Sequence, residues 1–245
     1  MEIEIFIQTI KSKLHQNVIL DYSIKPGTLE ALKWLAFVFM VVDHLYKFIP
    51  VTQLQLIYPA GRLAMPLFAF TFGYTLTYFK FENIQSVHKL LFRLLIAALI
   101  SSIPYIYLEK NFIAFGVWPL NIIFMFFLAV LILYINTWKT KYSIFIAATL
   151  FIVGGMFVEY YWAGLLLVIF SYYFVKRPNW KNLLAIILSL ILLVDLNGNL
   201  YAFLFLPIVY FAQFLDFKFK RIKHIFYVLY PLHLFLISGI KLFNS

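Results

Sequence analysis

Long apolar stretches follow one another along almost the whole chain, and only short polar segments separate them. A helix needs about 20 apolar residues to cross the hydrocarbon core of a bilayer. The stretches are continuous rather than alternating, which is typical of helices. Charged residues make up only 12% of the chain and hydrophobic residues 64%, whereas soluble domains carry about 25% charged residues. We therefore expect an all-α integral membrane protein.

The apolar stretches predict a polytopic bundle of about nine transmembrane helices in one domain, residues 28–245. We expect an N-terminal interfacial segment at residues 1–27, in which residues 2–20 form an amphipathic helix that lies on the membrane. The alternative is that this helix spans the membrane. The nine predicted spans are residues 29–49, 58–79, 88–108, 117–137, 143–158, 160–175, 182–195, 199–216 and 224–243.

The distribution of cations predicts the orientation of the chain. The formal net charge is +10, which in a soluble protein would suggest binding to nucleic acid. In a membrane protein, Lys and Arg mark the cytoplasmic loops and bind anionic headgroups. Sixteen of the 20 cations fall on one predicted side, the exceptions being Lys47, Arg62, Lys110 and Lys241. We expect a multi-pass plasma-membrane protein with a cytoplasmic N-terminus, an external C-terminus and no nucleic-acid partner.

Two predicted spans carry ionisable residues within apolar surroundings. The first span contains Asp43 and His44, and the last contains His233. With Lys33 at the inner interface, the rise of a helix places His44 roughly 17 Å into the membrane, and His233 lies roughly 14 Å beyond His224. The two histidines are therefore expected at similar depth, where an ionisable group needs a partner or a function.

Several interpretations of these polar residues remain open. His44 suits a general base, and Asp43 can orient it or pair instead with Lys47 or Arg62. Arg62 is an interfacial anchor, or it binds an anionic or carbonyl group. Asn121 forms a hydrogen bond across the bundle or binds substrate. A metal is not expected, because two histidines without any cysteine supply few of the ligands that a metal site needs.

Five sequence elements occur in a familiar order: LKWLAFVFMVVDHL, GRLAMPLFAFTFGY, RLLIAALISSIPY, NIIFMFFLAVL and FYVLYPLHL. Together they resemble the TraX family, membrane proteins named for an acetylase of the conjugative pilin N-terminus, from about residue 32 to 237. That family is similar to a wider superfamily of transmembrane acyltransferases. Asp43 and His44 stand at the DH element, Arg62 at the GR element, and Tyr230 and His233 at the YPxHL element.

The resemblance implies a membrane acyltransferase that moves an acetyl group from cytoplasmic acetyl-CoA to an amine or hydroxyl on the outer side, on a glycan or a pilin-like protein N-terminus. Catalysis is assigned to His44, Asp43 and His233, and substrate binding to Arg62, Asn121 and Tyr230. Lys33, Lys89 and Arg93 are expected to bind the phosphates of CoA.

Two other functions remain open at this point. One is a proton-coupled transporter of small molecules, since embedded Asp, His and Arg also serve proton relays. The other is a non-catalytic membrane assembly factor. Oligomerisation is left open.

Overall fold

The computed structural model describes residues 22–49, 58–109 and 118–243. In these ranges the regular elements are helices, joined by turns and by non-helical stretches such as residues 215–222, and one isolated bridge pairs Leu120 with Val158. The α-helices are α1 (Pro26–Phe48), α2 (Tyr58–Gly61), α3 (Ala64–Leu76), α4 (Ile84–Glu109), α5 (Ile122–Asn136), α6 (Lys141–Thr149), α7 (Tyr161–Lys176), α8 (Trp180–Asn197), α9 (Phe205–Ala212) and α10 (Ile225–Phe243). A π-helical turn, Leu150–Gly154, continues α6, and a 3₁₀ turn, Tyr201–Leu204, precedes α9.

Each of the nine predicted stretches overlaps at least one of these helices. Among the described residues, α4, α8 and α10 are long and apolar enough to cross a bilayer. Helix α1 has a similar length, 23 residues, but carries Glu30, Lys33, Asp43 and Lys47. The predicted N-terminal amphipathic helix, residues 2–20, lies outside the described residues.

The second predicted span is not one continuous helix. It is divided into α2 and α3 by a tight turn at Arg62 and Leu63, in which the amide of Leu63 donates to the carbonyl of Ala60 at 3.1 Å. Apolar residues occur on both sides of the turn, so hydrophobicity alone does not reveal it. The turn brings Arg62 to the neighbouring helix, as described below.

The start of α1 is held by a distant part of the chain. Helix α1 begins at Pro26, and proline favours the first helical position because its missing N–H needs no partner there. Thr28 does not cap the helix, although its position suggests that role. Its hydroxyl instead donates to the carbonyl of Leu215 at 2.9 Å and accepts from the amide of Phe217 at 3.1 Å.

Six helices form a closed ring by their mutual contacts. Helix α1 packs on α3, α3 on α7, α7 on α5, α5 on α4 and α4 on α10, and α10 returns to α1. Helix α8 packs on α7, and α6 packs on α5. At Gly73 in α3 an added Cβ would lie 2.5 Å from the carbonyl oxygen of Val168 in α7, so glycine permits the close approach of these two helices.

The described surface is strongly apolar, as expected of a protein in lipid. Large hydrophobic side chains are exposed on several helices, and Ile103, Phe145, Leu188 and Leu236 are each more than half exposed. Soluble monomers rarely expose such continuous apolar surface. Together with the three long apolar helices, this surface supports a membrane protein.

Candidate functional site

His44 and His233 meet across the interface of α1 and α10. The Nδ1 atom of His44 lies 2.8 Å from Nε2 of His233, and the two rings are nearly coplanar, with 3° between their planes. Aromatic rings surround the pair: Phe37 and Tyr230 contact the ring of His233, and Phe48 contacts that of His44. The structure therefore brings together the two embedded histidines, from opposite ends of the chain.

Asp43 does not contact His44, because neighbouring residues on a helix point about 100° apart. Of its possible partners, the structure selects Arg62, whose Nη2 donates to Oδ1 of Asp43. The guanidinium also lies over the ring of Tyr58 and donates to Oδ1 of Asn197 at 3.4 Å. Lys47, the other possible partner, pairs with Glu109 of α4 instead.

Gly61 makes the pairing of Asp43 and Arg62 possible. A Cβ atom at residue 61 would lie 2.7 Å from Oδ1 and 3.1 Å from Cα of Asp43. The GR element therefore has a physical reason: glycine lets α1 approach the turn, and the next residue supplies the guanidinium.

Two cavities are named outer and inner here after the orientation that the distribution of cations predicts. The outer cavity, of about 470 Å³, adjoins this ion pair. Its wall includes His44 and the ion pairs of Asp43 with Arg62 and of Lys47 with Glu109. The other lining residues are polar and aromatic side chains around its mouth, chiefly Tyr46, Tyr58, Tyr105, Trp118, Glu159, Tyr160, Tyr161 and Asn197.

An inner cavity of about 370 Å³ occupies the opposite half of the bundle. Along α1 it is lined by residues 30 to 40, whereas the outer cavity is lined by residues 43 to 47, and α4 is divided in the same way. Its apolar depth includes Phe37, Met40 and Tyr230. Because His233 contacts Phe37 and Tyr230, and His44 lines the outer cavity, the histidine pair lies between the two cavities.

Cations surround the mouth of the inner cavity. Lys33, Lys89 and Arg93 all line it, and so do Arg221 and His224, which are not among the three predicted phosphate ligands. The sequence signal for these two residues is the cationic segment before α10, which lines the same cavity as the first turns of α4.

Lys33 differs from the other cations because its charge is compensated. Its Nζ lies 2.7 Å from Oε1 of Glu30, and both side chains are largely buried, at 13% and 7% exposure. Lys89, Arg93 and Arg221 are exposed. These three side chains therefore supply most of the free positive charge at the mouth.

Asn121 serves the protein's own packing. It caps α5, where its Oδ1 accepts from the amide of Ile123 at 3.1 Å. Its Nδ2 donates to the carbonyl of Ala98 and the hydroxyl of Ser102, and the side chain is fully buried. Asn121 thus joins α5 to α4, which agrees with its interpretation as a hydrogen bond across the bundle.

Glu159 lies in the wall of the outer cavity. Its Oε2 accepts from the amide of Ile122 at 3.0 Å, at the positive end of α5. Burial raises the pKa of Glu159 to about 7. Within the described ranges, no group of three or more His, Cys, Asp or Glu residues is placed to hold a metal ion.

The geometry is that of a helical membrane protein with a buried histidine pair between two cavities. Comparison with family models gives a match to the family described as TraX protein over residues 28–241, nearly the whole chain. The chain therefore belongs to the TraX family, as the resemblance predicted. No curated protein and no solved structure matches the chain.

We predict that Gly61→Ala displaces Asp43 from Arg62, because the new methyl group would overlap the carboxylate. Overpacking of this kind costs about 1–3 kcal/mol of stability. Thermal unfolding of the purified protein in detergent measures the loss.

Gly239→Ala is the matched control, since an added Cβ there meets nothing within 4 Å. Alanine is a better helix former than glycine by about 1 kcal/mol, so this variant should be at least as stable as the wild type. Equal stability of the two variants would show that α1 does not need a glycine at residue 61.

Proposed function

We propose that this protein is an acetyl-CoA-dependent N- or O-acyltransferase of the plasma membrane. It moves an acetyl group from cytoplasmic acetyl-CoA to an amine or hydroxyl of an extracytoplasmic acceptor, a glycan or a protein N-terminus. The observation that carries the proposal is the position of the histidine pair between two cavities in opposite halves of the bundle. Membership of the TraX family supports the same reaction class.

The proposed topology has nine spans in a transmembrane domain, residues 28–245, that follows an interfacial segment, residues 1–27. The N-terminus is cytoplasmic and the C-terminus external. The cations at the inner cavity support this orientation, because positive residues favour the cytoplasmic side. The outer cavity then faces the acceptor.

The donor enters from the inner cavity. Its phosphates bind the cationic mouth formed by Lys89, Arg93 and Arg221, with a smaller contribution from Lys33 because of Glu30. The apolar depth of the cavity receives the thin pantetheine arm and directs the thioester toward His233 and Tyr230. Tyr230 contacts the donor there, and Asn121 holds the cavity wall rather than the substrate.

The acyl transfer needs no further reactant. His44 takes the proton of the acceptor O–H or N–H as this atom attacks the thioester carbonyl and forms the new C–O or C–N bond. The tetrahedral intermediate then collapses, the C–S bond breaks, and the thiolate takes the proton from His44 as CoA leaves. Arg62, held by Asp43, places positive charge near the developing oxyanion.

A first test is incubation of the purified protein with acetyl-CoA. A transferase binds CoA and hydrolyses the thioester slowly when water replaces the acceptor. A proton-coupled transporter or an assembly factor does neither, so absence of both activities would contradict the proposal.

We predict that His44→Ala lowers thioester cleavage by about 10²–10⁴-fold, which corresponds to roughly 3–5 kcal/mol of barrier. The cause is loss of the positioned base. CoA binding should persist, because His44 lines the outer cavity and the phosphates bind at the inner one. Single-turnover kinetics with labelled acetyl-CoA measures the change. A cleavage rate within a few-fold of the wild-type rate would show that His44 serves only packing.

We predict that Arg93→Gln and Arg221→Gln each raise the Kd of CoA several-fold with little change in kcat, since phosphate contacts are equal in the ground and transition states. Isothermal titration measures the affinity. Lys33→Gln should have a smaller effect because Glu30 already neutralises that cation. Lys181→Gln is the control, an exposed cation away from the cavity, and an equal effect at Lys181 would indicate nonspecific attraction.

Because the chain contains no cysteine, single thiols report the topology cleanly. Glu82→Cys lies before α4 and should react with an impermeant reagent only from the cytoplasmic side. Leu200→Cys follows α8 near the outer cavity, and it should react only from outside. Reversed labelling would invert the assignment of donor and acceptor cavities.

A further inference from the structure

The bond between the two histidines has a defined direction when its neighbours are taken into account. Nδ1 of His233 lies 3.2 Å from the carbonyl oxygen of Leu229, one turn earlier on α10. A carbonyl only accepts, so Nδ1 of His233 carries the hydrogen and donates it. In the neutral ring, Nε2 of His233 is then the unprotonated nitrogen.

The same reasoning extends to His44. Since Nε2 of His233 accepts, the atom facing it at 2.8 Å, Nδ1 of His44, must be the donor. A neutral His44 with hydrogen on Nδ1 has its lone pair on Nε2. His44 lines the outer cavity, and among the described residues its Nε2 has no hydrogen-bond partner.

We propose that His233 is a positioning residue, which acts with the Leu229 carbonyl to fix His44 in the tautomer whose Nε2 is the base. This inference rests on the proposed function. It assigns to the backbone carbonyl and the second imidazole the orienting role that a carboxylate has in Ser-His-Asp triads. Asp43 does not have this role here, because it is bonded to Arg62.

The arrangement also explains how the base can become charged within an apolar bundle. When Nε2 of His44 takes the acceptor proton, its Nδ1–H becomes a charge-assisted donor to His233, and such bonds are roughly twice as strong as neutral ones. No proton needs to leave His44 until the thiolate takes it. The near coplanarity of the rings keeps the donor aimed at the lone pair of His233.

The direct test is the tautomer of His44 in the wild-type protein. With 15N-labelled histidine, NMR distinguishes protonated from unprotonated ring nitrogens, and the chain has only five histidines. The signals of His44 are those that disappear in His44→Gln. We expect Nδ1 to be protonated and Nε2 unprotonated. The opposite tautomer, or an even mixture, would overturn the proposal.

Two substitutions of His233 give the kinetic test. His233→Ala removes the acceptor and should lower kcat by about 10²–10⁴-fold, with the KM for acetyl-CoA unchanged. His233→Gln places an amide oxygen, which accepts a hydrogen bond, near the position of Nε2. The kcat of this variant should be at least tenfold higher than that of His233→Ala. An equal loss of kcat in both variants would show that His233 does not act by accepting a hydrogen bond from His44.

Ser238→Ala is the matched control on α10. Ser238 is a buried polar residue whose hydroxyl donates to the carbonyl of Leu234 on its own helix at 2.8 Å, so the kcat of Ser238→Ala should equal that of the wild type. The tautomer measurement needs no turnover, so it separates two failures. A wild-type protein without thioester cleavage would overturn the proposed function, whereas an active protein with the wrong tautomer would overturn only the role of His233.

Discussion

An ionisable side chain within a bilayer must find a partner, because lipid offers none, and this constraint explains the centre of the structure. Asp43 and His44 leave α1 about 100° apart, so a single dipeptide reaches two neighbours. Asp43 meets Arg62 at the turn between α2 and α3, and His44 meets His233 of α10. Polar pairing thereby joins segments that are distant in the chain.

The same two pairs divide the interior into halves of different chemistry. On one side of the histidines, the inner cavity is apolar in its depth and has exposed cations at its mouth. On the other side, the outer cavity is lined by ion pairs, tyrosines and Glu159. A transporter must open one pathway alternately to both sides. A transferase needs only that two substrates approach a shared base from opposite sides, and a closed ring of helices is compatible with this requirement.

The sequence predicts the helices well because apolar runs dictate burial in lipid. With Lys33 and His224 placed at one interface, the helical rise puts His44 and His233 at similar depth. It cannot choose between Lys47 and Arg62 as the partner of Asp43, since that choice depends on how closely α1 packs on Gly61. Arg221 and His224 escape prediction for a related reason. They lie on or next to a non-helical segment, whose position is determined by tertiary contacts such as that between Thr28 of α1 and Leu215.

Charge asymmetry between the cavities bears on which substrates can enter each one. At the inner mouth Lys33 is neutralised by Glu30, so Lys89, Arg93 and Arg221 dominate the local field and attract a polyanion. Among the described residues that line the outer cavity, Lys47 and Arg62 are each paired with a carboxylate, and Glu159 is an additional acid. A polyanion is therefore attracted less strongly there than at the inner mouth, whereas a hydroxyl or an amine finds acceptors. The two ends of the molecule therefore favour different partners before any contact with His44.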